Sequence, residues 1–112
     1  SPGRGSAQAI SDGTNSVRID SNFGRLTSDV VAAHLHIGQE GTNGPVVVDL
    51  SAYARNNGVD ATIEASNIVG PLAAAEDPML ALLNEMAAGN VYLNIHTAEN
   101  PAGEIRGQLK LR

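Results

Sequence analysis

Cysteine and tryptophan are both absent from this chain. Without thiols there are no disulfide staples, no thiolate metal sites and no cysteine nucleophiles. Aromatics amount to only 3%, namely Phe23, Tyr53 and Tyr92. The core is therefore aliphatic, and the stacking platforms that grip single-stranded nucleic acid are missing. Positive charge is scarce, with 7 Lys and Arg against 12 Asp and Glu, a formal net charge of -5. A domain of that sign repels phosphate backbones and anionic membrane surfaces, so no nucleic-acid partner is expected. No apolar run is long enough to cross a bilayer and no signal peptide is visible, so no membrane insertion is expected. The chain opens at Ser1 without a methionine, which reads as processing or as excision from a longer protein.

What is present suits a folded domain. The 112 residues are 42% hydrophobic, enough for a single domain over residues 1–112 with a modest core. Residues 6–20 read as a β-hairpin turning at "DGTN", with Ala7, Ala9 and Ser11 facing one way and Val17 and Ile19 sharing a face. "SNFGRLTSDV" is turn-rich and ambiguous. "VVAAHLHIG" reads as a strand in which Val31, Ala33, Leu35 and Ile37 face the core and Ala32, His34, His36 and Gly38 face away. "VVVDLS" reads as a buried strand, and "ATIEAS" puts Ala61, Ile63 and Ala65 together.

One helix is predicted in "EDPMLALLNEMAAGN". Asp77 is its N-cap, Pro78 its first residue, and Gly89 lies just past its end. Met79, Leu82, Leu83 and Met86 form an apolar stripe that docks on a sheet. "NVYLNIHT", the turn "AENPAG" and "EIRGQLKL" form the clearest hairpin. Val91, Leu93, Ile95, Ile105 and Leu109 face the core; Tyr92, Asn94, His96, Glu104, Arg106 and Gln108 face out. Many short strands, glycine-rich turns and one short helix predict an all-β fold, an antiparallel β-sandwich or barrel.

The chemistry concentrates on the histidines. His34 and His36 are two apart on a strand, so their rings project from one face, and His96 lies on the non-core face of another strand. If those strands share a sheet, the rings converge. Neutral imidazole is a common ligand for copper and zinc. His34, His36 and His96 are thus candidate metal ligands, an open three-nitrogen site suited to Cu(II), Zn(II) or Cu(I). The bland alternative is three histidines on a wet or interfacial sheet face.

Enzyme patterns are thin. There is no G-x-S-x-G elbow. The glycines of "GQEGTNGP" precede a strand and lack the P-loop lysine, so they read as a turn. Glu104 and Arg106 share a face, which predicts a solvated ion pair or a partner that orients His96.

"AAHLHIGQEGTNGPVVVDLS" and "GNVYLNIHTAENPAGEIRGQL" together resemble the CHRD (chordin-type) domain family. The resemblance implies a β-sandwich of immunoglobulin-like or superoxide-dismutase-like form, in a protein that is secreted or on the cell surface. The family's two histidine motifs fall on His34, His36 and His96. The H-x-H strand also looks like one ligand strand of copper/zinc superoxide dismutases, but the other histidines of that site have no counterpart here. Relative to the family pattern the opening strand is missing. Either it lies outside residues 1–112, or a neighbouring chain supplies it, as in donor-strand filaments.

Two functions are expected from this sequence. The first is an extracellular metal-binding domain, copper favoured over zinc, for metal capture, storage or redox handling. The second is a structural or adhesive module, a homo-oligomer or filament subunit assembled by strand exchange, in which the histidines are incidental. No catalytic residue is assigned, and copper-dependent redox chemistry is the only enzymatic form the sequence allows.

Overall fold

Inward–outward alternation shapes the first two strands. Strands β1 (Arg4–Ser11) and β2 (Ser16–Gly24) pair antiparallel, Arg4 opposite Gly24 and Ser11 opposite Val17. The computed structural model describes residues 1–11 and 15–112. The expected hairpin is present, while Asp12, Gly13 and Thr14 of its turn lie outside the described residues. β2 extends into the ambiguous "SNFG" segment, with Val17, Ile19, Ser21 and Phe23 all buried. Ser21 is the reason the sequence pattern blurs there. Its hydroxyl donates to the Ser6 carbonyl at 2.8 Å, so a polar side chain occupies an inward position without an unmet hydrogen bond.

The remaining strands in chain order are β3 (Val30–Ile37), β4 (Val46–Asp49), β5 (Ala54–Arg55), β6 (Gly58–Glu64), β7 (Val91–Thr97), β8 (Ile105–Gln108) and β9 (Lys110–Leu111). They form two sheets, ordered β5-β6-β2-β1-β9 and β4-β3-β7-β8. Among the described residues every strand pairing is antiparallel except β1 with β9. The two inner faces enclose an aliphatic core that includes Ile19, Leu35, Val47, Val48, Ile63, Leu93 and Ile95. This is the all-β sandwich with one short helix that the sequence predicts.

Three expectations about the strands fail, each for a geometric reason. The first concerns Val31, which is not a core residue but 57% exposed. The β3–β7 register shifts between Val30 and Ala32, so Val30 packs on the core instead. Ala65, expected to share a face with Ala61 and Ile63, is exposed because the chain leaves β6 at Glu64 in a 3-10 turn. In that turn the side chains of Glu64 and Asn67 cap each other's backbone N–H. Finally, "EIRGQLKL" is not one strand. The chain changes sheets at Leu109, and Lys110 and Leu111 pair parallel with Gln8 and Ala9.

The helix α1 (Pro78–Ala87) matches its sequence signals. Asp77 accepts from the Leu80 N–H at 3.1 Å, and Gly89 adopts a left-handed φ of 78° just past the end. Met79, Leu82 and Met86 are buried in the core cluster, and Leu83 packs against it. No helix among the described residues is long and apolar enough to cross a membrane.

Glu104 ties together one end of the sandwich. Its carboxylate accepts from Ser1 Oγ at 2.6 Å, Thr27 N at 2.9 Å, Thr27 Oγ1 at 2.7 Å and Thr97 Oγ1 at 2.8 Å. The expected pairing of Glu104 with Arg106 does not occur. Arg106 instead reaches the carbonyls of Gln39 and Thr42, because alternating strand residues are drawn to different loops. Desolvation pushes the Glu104 carboxyl upward, but hydrogen bonds from Ser1, Thr27 and Thr97 outweigh it and hold it at about 2.

Two outcomes follow from this architecture. Leu35→Ala removes a fully buried side chain and is expected to cost about 2–5 kcal/mol in urea unfolding. Val31→Ala is expected to change stability by less than about 0.5 kcal/mol. Equal effects at the two positions would contradict the register shift. The depressed Glu104 pKa gives a stabilisation fully present above the ordinary value of 4.5 and lost as pH falls towards about 2. Thermal melts from pH 7 to pH 2 should show Glu104→Gln below the native chain at neutral pH, with the two converging in acid. Parallel curves across that range would contradict the role assigned to the carboxylate.

Candidate metal centre

β3 and β7 are direct neighbours in the four-stranded sheet. Ala32 lies opposite His96, His34 opposite Asn94 and His36 opposite Tyr92. His34 and His96 are thus diagonal neighbours on one face, and His36 follows two residues along β3. The His34 and His96 ring centroids are 4.9 Å apart, and those of His34 and His36 are 5.9 Å apart. One ring nitrogen from each of the three histidines lies within 4.8 Å of the other two. All three rings are half-buried.

Backbone carbonyls decide which nitrogen each ring presents. His36 Nδ1–H donates to the Gly44 carbonyl at 2.8 Å, and His96 Nδ1–H donates to the Pro101 carbonyl at 2.8 Å. A carbonyl only accepts, so in the neutral rings both Nε2 atoms carry lone pairs. His36 Nε2 is buried and has no hydrogen-bond partner among the described residues. His96 Nε2 lies 3.0 Å from His34 Nδ1 and accepts its proton. That leaves His34 Nε2 facing Asp49 Oδ1 at 3.6 Å.

Electrostatics keeps this cluster neutral at His34. Burial lowers its pKa below the usual imidazole value, and the neighbouring His96 lowers it further, against a raising influence from Asp49. Asp49 itself is held low by hydrogen bonds from Ser51, including the Ser51 N–H at 2.9 Å.

Two loops wall the cluster. The ring of Tyr92 stacks on His36 at 4.9 Å between centroids and 1° between planes. The Arg106 guanidinium lies over that Tyr92 ring, 3.5 Å from its centroid. These contacts bury Tyr92 to 2% exposure although it occupies an outward position of β7. Tyr92 OH accepts from the Gly44 N–H at 3.0 Å, so the residue whose carbonyl orients His36 is itself fixed by a side chain under that ring. Only glycine fits at position 44, because a Cβ there would lie 1.5 Å from the Ile37 carbonyl oxygen. The "GQEGTNGP" segment is a loop, as expected, and it delivers a carbonyl to a histidine.

The three histidines singled out from the sequence are therefore together in space. Sequence reasoning missed Asp49, Tyr92 and the Gly44 and Pro101 carbonyls. Asp49 left a signal, as the one charged residue in "VVVDL"; its place opposite His34 depends on the β3–β4 register. Carbonyl partners leave no side-chain signature.

Chemically, two inward Nε2 lone pairs and a third nitrogen that holds an exchangeable proton form a donor set able to take a cation. At His36 and His96 the remote nitrogen donates to a backbone carbonyl, the outer-shell pattern that orients imidazole ligands. No curated protein and no solved structure matches the chain. A family model for the CHRD domain matches residues 1–109. That match spans nearly the whole chain and includes both histidine segments, so the chain belongs to the CHRD domain family, an extracellular-type β domain.

Proposed function

We propose that this domain is a secreted or cell-surface module that binds a transition metal ion through His34, His36 and His96, copper being favoured over zinc. The observation that carries the reading is the state of the ring nitrogens. His36 Nε2 is a buried acceptor with nothing to accept from among the described residues, and one ring nitrogen of each histidine lies within 4.8 Å of the other two. An unsatisfied buried polar atom costs about 1–3 kcal/mol, which a bound cation would relieve. Freeing His34 Nδ1 moves its proton to Nε2, where the Asp49 carboxylate stands 3.6 Å away. Nitrogen-only donors favour Cu(II) over Zn(II) in the usual affinity order. The ion would serve in metal capture, storage or redox handling; no catalytic residue is assigned to the chain.

Calorimetric titration with Cu(II) and with Zn(II), on the native chain and on His36→Ala, tests this directly. One equivalent is expected to bind, copper more tightly, with the substitution weakening it by at least about tenfold. Absence of tight binding, or binding indifferent to the substitution, would sink the proposal. Affinity should be constant above neutrality and fall as pH drops below about 6.5, where protons compete for imidazole. At His34 that competition begins at lower pH than usual, because its pKa is depressed.

A second reading, a structural module joined by strand exchange, rests on a different observation. β9 and Arg112 cover β1 from Gln8 to Ser11, leaving its start without a strand on that side among the described residues, and β8 is the edge of its sheet. Between them lies a cleft of about 320 Å³ lined by Ala7, Phe23, Leu93, Ile95 and Ile105, among others. Strand edges beside a cleft that mixes these apolar side chains with Arg4, Glu104 and Arg106 favour uptake of an added strand. Sedimentation velocity over a hundredfold concentration range should then show growing assemblies. A single monomeric species throughout would remove this reading.

A further inference from the structure

We propose that Glu104 is a positioning residue for His96, acting through the turn that carries Pro101. The inference deepens the metal-binding reading and rests on it. His96 presents Nε2 to His34 because its Nδ1–H is donated to the Pro101 carbonyl at 2.8 Å. Pro101 sits in a turn that begins at Thr97, closed by mutual backbone bonds between Thr97 and Asn100 and by Gly103 N–H to the Asn100 carbonyl. Glu104 grips this turn from inside. Oε1 accepts from Thr97 Oγ1 at 2.8 Å, the residue next to His96, and from Asn100 Nδ2 at 3.3 Å, the residue next to Pro101. The same carboxylate is anchored on the facing loop by Thr27 N and Oγ1.

The chain of contacts runs from carboxylate to turn, from turn to carbonyl and from carbonyl to ring. Every donor around Glu104 is an N–H or O–H directed at an oxygen. Glu104→Gln replaces one of those oxygens by an NH2 group, which cannot accept from the Thr27 N–H or the Asn100 amide, both obligate donors. The turn then loses part of its tether, and the Pro101 carbonyl loses its fixed place above His96 Nδ1.

The test separates this inference from the metal-binding reading. In the metal-free native chain, long-range ¹H–¹⁵N NMR of the imidazoles should show His96 as the Nδ1–H tautomer. In Glu104→Gln it should show a mixture of tautomers. Zn(II) affinity, measured by titration, should fall about 10–100-fold in the same variant. Thr97→Val, which removes one hydroxyl from the carboxylate at nearly constant shape, should shift both readouts the same way and serves if Glu104→Gln does not fold. Leu82→Ala, which weakens the core at the helix, should move neither. An unchanged His96 tautomer in both variants overturns the inference, as does unchanged Zn(II) affinity when the tautomer has changed. If the native chain binds neither Cu(II) nor Zn(II), the metal reading fails, and the tautomer measurement alone still decides whether Glu104 positions His96.

Discussion

The antiparallel pairing of β3 with β7 is the constraint on which the rest depends. It is the central contact of the four-stranded sheet, and it sets which residues share a face. A slip of one residue would turn every side chain of β3 over, placing histidines in the core and Leu35 in solvent. Two irregularities bracket the histidine strand. One shift, between Val30 and Ala32, expels Val31 from the core. The other, between Leu35 and His36 on the β4 side, lets Val47 and Val48 be buried together. Between them the alternation is regular, and there His34 stands, with His36 just past the second shift.

Orientation comes from outside the sheet. Alternation puts His34, His36 and His96 on one face, but it does not choose a ring nitrogen. That choice is made by carbonyls of two loops, at Gly44 and at Pro101. Each loop is in turn held by side chains from β8 or its start. Arg106 and Gln108 clasp the first, by bonds to the carbonyls of Thr42 and Gly38, and Glu104 holds the second. The segment "EIRGQ" thus works as a frame for two histidines it does not touch directly.

Much of this was legible in the chain. The period of two exposed the strands, the Asp77–Pro78 start and Gly89 stop exposed the helix, and outward placement exposed the histidines. The failures share one physical origin, which is that register and sheet membership are tertiary properties. Val31 and Ala65 follow the alternation on paper, but a bulge and a 3-10 turn end it. Leu109 carries no mark saying that the chain changes sheets there. The Glu104–Arg106 pair was plausible by spacing and wrong in space, since each side chain found better partners on a loop.

His34 and His96 stand 62 residues apart in the chain and 3.0 Å apart in space. During synthesis the first two imidazoles emerge well before β7 exists to meet them. Closing so long a segment is entropically unfavourable until strand pairing repays it, and such distant contacts form slowly. A nascent chain therefore offers two rings with no third and with no carbonyl brackets to aim them. The full set of nitrogens is assembled only in the finished sheet, so any ion selectivity of this face belongs to the folded domain and not to the unfolded polypeptide.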